Sequence, residues 1–477
     1  MRRFVLSACL IMVMFAGSAA AQSTLSFAVV VDSPGLSQGI AIINPTSTPA
    51  SATFTMYSYA GAVLGTSTQT IPAVGQIAKL KSELFAGVNG AWIQVTSATT
   101  GLQGFWVGGD FTTAVEGAEA ATPRTEQYAP VAGPTVLGVF NPGNSIVSVT
   151  IEMYGADGSQ LNFISGNQNL PSITRTIQPH AVFDTEIDGF CIGSGCTGSP
   201  GLARSLRVTS SAPVVGASMV SPFTGTNIKD VSISNLLPAS GVNQLNFPHV
   251  VQGVLSPASY STLIGVTNTS SVTQIVTFTF REEGRAPITL ERPIERRGTL
   301  QETAASLFGL TGFRNGWVQA TGSVSNGSLA GFVAYADLNG GGTTIVPAQQ
   351  NTALAFFFAH IANLSPWWTG IGLLNPNTGS VSVEVFAMNS DGTLIGGADT
   401  VASARLTIPA MTKTAKLLDE LIPQTGLRES DGGFVFIRSS VPLIGIELFF
   451  LRNGAALANV GANFLPAGLT FIPPLDF

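Results

Sequence analysis

The sequence predicts an all-β protein, a tandem array of four immunoglobulin-like β-sandwich domains that follows a signal peptide. Three observations lead there. First, one pattern is written four times: an apolar run ends on Asn44-Pro45, Asn141-Pro142, Asn268-Thr269 and Asn375-Pro376, and alternating Val, Thr and Ser residues follow. A glycine turn closes each alternation, at Gly61, Gly158, Gly284 and Gly392. Asn-Pro favours turn initiation and the glycine supplies the positive φ of a tight hairpin, so the unit reads strand–turn–strand–hairpin. Second, apolar and polar residues alternate over short runs bounded by Gly and Pro, the mark of half-buried strands. Third, almost no segment keeps a helical period; the best helix candidate is Lys413 to Leu421, about two turns.

The landmark asparagines are 97, 127 and 107 residues apart. That period is too long for a solenoid repeat and suits a small β-domain with its own core. Other landmarks recur in the same order. An acidic-apolar knot comes first, at Glu83-Leu84-Phe85, Glu186-Ile187, Leu307-Phe308 and Glu420-Leu421. A strand follows, beginning near Trp92, Leu206, Trp317 and Val435, and then a strand with glycine near its start, at Gly104, Gly216, Gly331 and Gly445. About seven strands per repeat point to an immunoglobulin-like sandwich, but the Cys and Trp spacing of antibody domains is absent, so strand order stays open. The repeats are assigned to residues 22–127, 128–240, 241–352 and 353–477, folded separately and strung in a row, with 116–127 as a linker.

Met1-Arg2-Arg3, an apolar run to Phe15 and Ala19-Ala20-Ala21 read as a secretory signal, residues 1–21, cleaved after Ala21. Cys9 fits a lipoprotein cleavage box, but the apolar run continues past it, so it leaves with the signal. No other apolar stretch is long and charge-free enough to cross a membrane as a helix. These features predict a secreted protein or one held at the outer cell surface, with the periplasm as an alternative. Removing Arg2 and Arg3 leaves 19 basic residues against 27 acidic, a net charge of −8 that excludes nucleic acid as the expected partner. Only 10% of residues are charged, which permits self-association. Phe477 hints at a membrane β-barrel, but Pro473-Pro474 would break its last strand.

Candidate chemistry is sparse. His249 and His360 open the third and fourth repeats where Val29 and Pro130 stand in the first two, so the position is structural before it is a site. His180 lies near Asp184 and Glu186 with no second histidine at ligand spacing. Gly193 to Gly198 matches a dinucleotide fingerprint in letters only, since that motif works between a strand and a helix of a βαβ unit. Cys191 and Cys196 are the cysteines left after signal cleavage, an even pair in an oxidising compartment, and are expected to form a disulfide. Trp367-Trp368 follows Ser365-Pro366. Adjacent strand residues face opposite sides, so the pair is either a stacking platform for a sugar or peptide or packing against the neighbouring domain, and packing is the expectation.

The order of apolar strand, Asn-Pro turn, Asp-Gly hairpin, Glu-Leu-Phe knot and Thr-Ser strand resembles uncharacterised secreted bacterial proteins built of tandem immunoglobulin-like sandwich repeats of about 100 residues. The resemblance implies export and modularity and brings no catalytic residue, metal or cofactor. The functional expectation is therefore a secreted or cell-surface, non-enzymatic structural or adhesive protein. Its expected partners are cell-surface or extracellular polysaccharide, protein, or copies of itself. The alternative is a carbohydrate- or peptide-binding protein that uses the Trp367-Trp368 loop.

Overall fold

The computed structural model describes residues 22–465 apart from 29–34, 134, 166–167, 189–190, 193–202, 223–231, 240–241, 325–327, 340, 396–402, 424–426, 428–431 and 452–456. Strands dominate it, as the alternation requires. The first repeat has eight: β1 (Ser23–Phe27), β2 (Ser37–Asn44), β3 (Ala50–Tyr57), β4 (Val63–Ile71), β5 (Gly75–Leu80), β6 (Trp92–Ser97), β7 (Gln103–Gly109) and β8 (Val115–Glu119). They form two antiparallel sheets, β1-β6-β3-β4 and β5-β2-β7-β8. Phe54, Ile93 and Val95 of one sheet pack with Ile40, Ile42 and Trp106 of the other in a single core. The expectation of a two-sheet sandwich is met. The last two strands, β7 and β8, share a sheet, as the last two of antibody domains do, while β6 lies in the opposite sheet.

The same pairing recurs in the other three segments. The counterparts of the β3–β6 pair join Val147–Gly155 to Ala203–Val220, Gln274–Glu282 to Arg314–Gly322, and Val381–Met388 to Phe434–Leu451. In the second and fourth repeats the counterparts of β6 and β7 merge into single 18-residue strands, Ala203–Val220 and Phe434–Leu451, which run from one sheet into the other. The landmark glycines sit opposite the residue two before each asparagine, as Gly445 sits opposite Leu373. A Cβ on Gly445 would lie 2.3 Å from the Phe356 ring, so glycine there lets the core aromatics close on the strand. The helix expected over 413–421 is shorter: Lys413–Leu417 is a strand, paired with Trp367–Leu374, and only Leu418–Leu421 is helical.

Each landmark asparagine is fully buried and ties two turns together. Its side-chain amide donates to a carbonyl four residues on, at 2.7–2.8 Å, for Asn44, Asn141, Asn268 and Asn375 alike. It also donates across to a second turn, to the carbonyls of Pro72, Gln178, Glu295 and Pro409 at 2.9–3.1 Å. Its carbonyl oxygen accepts the N–H two residues on. Two residues past each acceptor carbonyl stands a non-glycine residue with positive φ: Val74, His180, Arg297 and Met411, at 55–63°.

That left-handed turn is the docking element. The carbonyl of His180 accepts the Trp92 indole N–H at 2.8 Å, and that of Met411 accepts the Trp317 indole at 3.1 Å. Each turn meets the repeat before it, and the fourth repeat meets the first: Gln76 donates its backbone N–H to Ser390 at 2.8 Å, and its side chain bonds Ala359 and Gly433. The chain therefore closes on itself and does not run out in a row. At the centre β8 packs against Ser232–Asn235 and Leu457–Gly461, and Thr343–Pro347 packs against the same two strands from the other side. The linker expected over 116–127 is overturned by this centre. Val115–Glu119 is the first repeat's inner strand and Arg124–Pro130 already pairs with Ala203–Val220 of the second. Gly117 and Ala118, which gave the stretch its linker look, leave room for close approach; a Cβ on Gly117 would lie 2.7 Å from the Trp106 carbonyl oxygen.

The asparagine tie gives a direct test. Asn375→Asp keeps the shape but removes the donors and sets a charge against the Gly379 and Pro409 carbonyls. It should destabilise the protein by about 3 kcal/mol or more, against about 1–3 for Asn377→Ala on the half-buried flank of the same turn. Urea unfolding at neutral pH reads both, and equal effects would refute the tie.

Candidate functional site

Ring closure leaves seams between repeats, and two of them, on either side of the fourth repeat, open into clefts of ≈ 610 and ≈ 600 Å³. They are built from equivalent parts. The second repeat of each pair contributes its counterparts of β2 and β5 and its acidic knot: Gly370 to Gly372 with Ala415, Lys416, Leu417 and Glu420 in one, Gly39 to Ala41 with Ala78, Lys79, Leu80 and Glu83 in the other. The preceding repeat contributes its histidine, His249 or His360, and the aromatic that follows its Ser-Pro loop, Tyr260 or Trp367. Both loops carry a cis peptide, Ser256–Pro257 and Ser365–Pro366. Aromatic and aliphatic side chains dominate the walls, as in small-molecule sites generally.

The seam between the third and fourth repeats also holds a polar cluster. Lys413 Nζ lies 2.8 Å from His249 Nδ1 and donates to Asn315 Oδ1 at 2.6 Å. Neither partner carries negative charge. Burial lowers Lys413 to about 7, with the Glu282 carboxylate opposing the shift. Burial also pushes His249 well below its usual range, and the Lys413 charge adds to that, so the imidazole is neutral and its free lone pair accepts. Tyr335 donates its hydroxyl to the His249 backbone carbonyl at 2.5 Å and sets its ring edge-on to the imidazole at 5.8 Å. Arg281, over the Trp317 ring at 4.9 Å, and Lys416 line the adjoining niche. Sequence reasoning placed Lys413 at the start of a helix and missed it; its only signal is that the equivalent position in the first repeat holds Gln76.

Two further carboxyls are buried. Glu116, in the central strand cluster, is held by the Thr344 hydroxyl, the Ser232 side chain and the Ile233 backbone, yet burial still raises it well above the carboxylate range. Glu447, opposite Ile371 in the register, is fully buried with both oxygens unpartnered, and burial alone raises it. The folded protein keeps a proton there that the unfolded chain releases above about pH 4.3, so its contribution to stability falls as pH rises through that range. Glu447→Met should therefore stabilise the protein by about 1–3 kcal/mol at pH 7. The gap to the parent should shrink towards pH 4; denaturant melts across that range would show otherwise if it stayed constant.

The other residues singled out by sequence fall as follows. Trp367 and Trp368 face opposite ways. Trp367 sets its ring edge-on to Phe111 of the first repeat at 6.3 Å and packs with Val115, Leu451 and Ala458, so its ring serves the seam between the fourth and first repeats. Trp368 sits edge-on to Phe450 at 5.7 Å, on the side of the third repeat. His180 stacks on Tyr57 at 4.5 Å and meets Asn144 at 2.9 Å. His360 lies 6.1 Å from the Phe105 ring. Cys191 lies on a two-residue strand paired with Asp188, while Cys196, the Gly193–Gly198 loop and the signal at 1–21 lie outside the described residues. Among the described residues no group of three or more His, Cys, Asp or Glu is arranged to hold a metal, and no helix is long and apolar enough to cross a membrane. Trp367→Ala should cost about 2–4 kcal/mol, since it strips a half-buried ring from an interface. The same change at Trp368 should cost less, and thermal melts of the two variants give the comparison.

No protein family and no curated protein matches the chain. Among solved structures, the Thermotoga maritima 1070 protein is similar over 23% of this chain and 96% of its own, at 17% identity with a TM-score of 0.20. A tetra-tandem repeat from the extending region of a large adhesion protein is 13% identical over 93% of this chain and 99% of its own, with a TM-score of 0.09. Scores this low carry no structural argument.

Proposed function

We propose that the chain is an exported, non-enzymatic structural or adhesive protein, a rigid scaffold of four immunoglobulin-like sandwich repeats at or beyond the cell surface. The observation that supports it best is closure. Every repeat docks its left-handed turn on the one before, and the fourth is tied to the first through Gln76, Ser390 and Gly433. Such a body has four outward sheet faces held in fixed relation. Three of those faces carry hydroxyls in cross-strand pairs, Thr53 with Thr68 at 3.2 Å, Thr150 with Thr174 at 3.1 Å and Thr289 with Thr279 at 3.3 Å, and the fourth carries Glu384 between Arg405 and Arg438, polar surfaces suited to contact with polysaccharide or with copies of the chain. The leader at 1–21 and the weak charge of the composition support export. A second reading, a binding protein for small extracellular molecules, rests on the two clefts beside the fourth repeat.

Fractionation of the native host tests the scaffold reading. The chain, lacking its first 21 residues, should appear in culture fluid or washed envelope, and purified protein should sediment saturably with washed cells. A cytoplasmic chain of full length, or no sedimentation at any concentration, would overturn it.

A further inference from the structure

We propose that the cleft between the third and fourth repeats binds an amphiphilic carboxylate, an apolar chain or ring system ending in one anionic head. This goes beyond the scaffold reading and does not rest on it. The body of the cleft is apolar, walled by Leu255, Tyr260, Phe313, Leu448, Phe450 and Leu457. Its ≈ 610 Å³ lies in the range of sites that take a single small molecule. At one end it runs into a charged niche, since Asn315, Ala415 and Lys416 line both.

Charge complementarity picks the head group. Three cations line that niche, Arg281, Lys413 and Lys416. Lys413 is held by two neutral acceptors. One guanidinium nitrogen of Arg281, Nη1, is buried without a hydrogen-bond partner. Of the two carboxylates on the same niche, Glu282 is shared with Arg314 at 2.6 Å and Arg285 at 3.1 Å, so it and Glu283 offset the three cations only in part. The carboxylates on the cleft itself are likewise engaged. Asp337 accepts the Ser259 and Asn339 backbone N–H groups at 2.9 and 3.0 Å, and Glu420 accepts that of Leu417 at 3.1 Å. Lys416 lines both cleft and niche, and Lys413 and Arg281 line the niche; a carboxylate reaching that end would be held by charge-assisted hydrogen bonds, which are about twice as strong as neutral ones. The sister cleft lacks this device: Gln76 stands in the place of Lys413, and Lys79, the counterpart of Lys416, is neutralised by Glu83 at 3.2 Å.

The test uses the chain from residue 22 onward and the fluorescent anion anilinonaphthalene sulfonate as reporter. Dodecanoate should displace it at one site per chain, and dodecanol should do so roughly tenfold less well or worse, the worth of one charged hydrogen bond. Ala415→Trp, an exposed position at the junction of cleft and niche, should abolish dodecanoate binding; Ala78→Trp, its counterpart in the other cleft, should leave it intact. Lys413→Gln, which installs the first repeat's residue, together with Lys416→Met should erase the preference for carboxylate over alcohol. Equal displacement by dodecanol, normal binding to Ala415→Trp, or equal loss in Ala78→Trp would each overturn the proposal. Vesicles of phosphatidylglycerol supply the last arm. They should bind parent and Ala415→Trp alike; vesicle binding that Ala415→Trp removes, without a dodecanoate site, would place the anion on a membrane and also overturn it.

Discussion

The buried asparagine of each repeat is the contact on which the rest of the molecule depends. A side-chain amide has two N–H donors and one carbonyl acceptor, and here all are engaged by backbone that no sheet ladder satisfies. The acceptor end closes the turn after one strand. The donor end reaches a turn nearly thirty residues or more away, to Pro72, Gln178, Glu295 and Pro409. Once that second turn is fixed, the residue two places on is held left-handed. A β-branched valine at φ 55° is a strained choice, tolerated because the turn is pinned from one side and packed against a neighbouring repeat from the other. A local hydrogen-bond tie is thereby converted into an assembly contact, four times over.

The sequence made the repeat legible because its chemistry is local. Asparagine at the turn, glycine at the hairpin and glycine opposite the residue two before the asparagine each answer to a constraint within a few residues or one strand pair. What it did not show is the ring. The contacts that close it are made by single side chains to backbone carbonyls, as Trp92 makes to His180 and Gln76 to Ala359, and a carbonyl leaves no mark on sequence. The innermost strand misled for a related reason: packing four strands around one axis favours Gly117 and Ala118, small residues that read as a linker when met without their neighbours. Of the aromatics that follow Ser-Pro loops, Tyr260 and Trp367 line one cleft each. The adjacent Trp368 belongs to the other side of the strand, as the pleat demands.

Fourfold repetition does not mean four equal seams. The first seam is filled by stacked rings, Tyr57 on Trp92 at 4.9 Å and on His180 at 4.5 Å, with Phe140 beside them. The second is filled by Tyr128 and Phe332 and crossed by charge: Glu126 takes Arg207 at 2.8 Å and Arg297 at 3.6 Å, and Arg207 also holds Glu152 at 2.7 Å. In such a network the carboxylates compensate the cations locally, so it fixes orientation without inviting a ligand.

The divergence is sharpest at one position, the residue opposite the one that precedes each landmark asparagine: Gln76, Val182, Thr299 and Lys413. Each lies at the start of the strand that leaves the docking turn, first in it or, for Gln76, second, so the ring brings each against the repeat before it. Gln76 satisfies itself on Ala359 and Gly433. Val182 joins the aromatic cluster of the first seam, and Thr299 pairs with Thr267 across its own sheet at 2.9 Å. Lys413 differs in kind, because both of its hydrogen-bond acceptors are neutral in a place where desolvation is costly. A scaffold could fill this position with glutamine, as Gln76 does in the seam between the fourth and first repeats, at less electrostatic cost. A cation kept there, beside an apolar cleft and two further cations with no ion pair among the described residues, is a local departure from what stability alone would select, and such departures concentrate where a surface has something to bind.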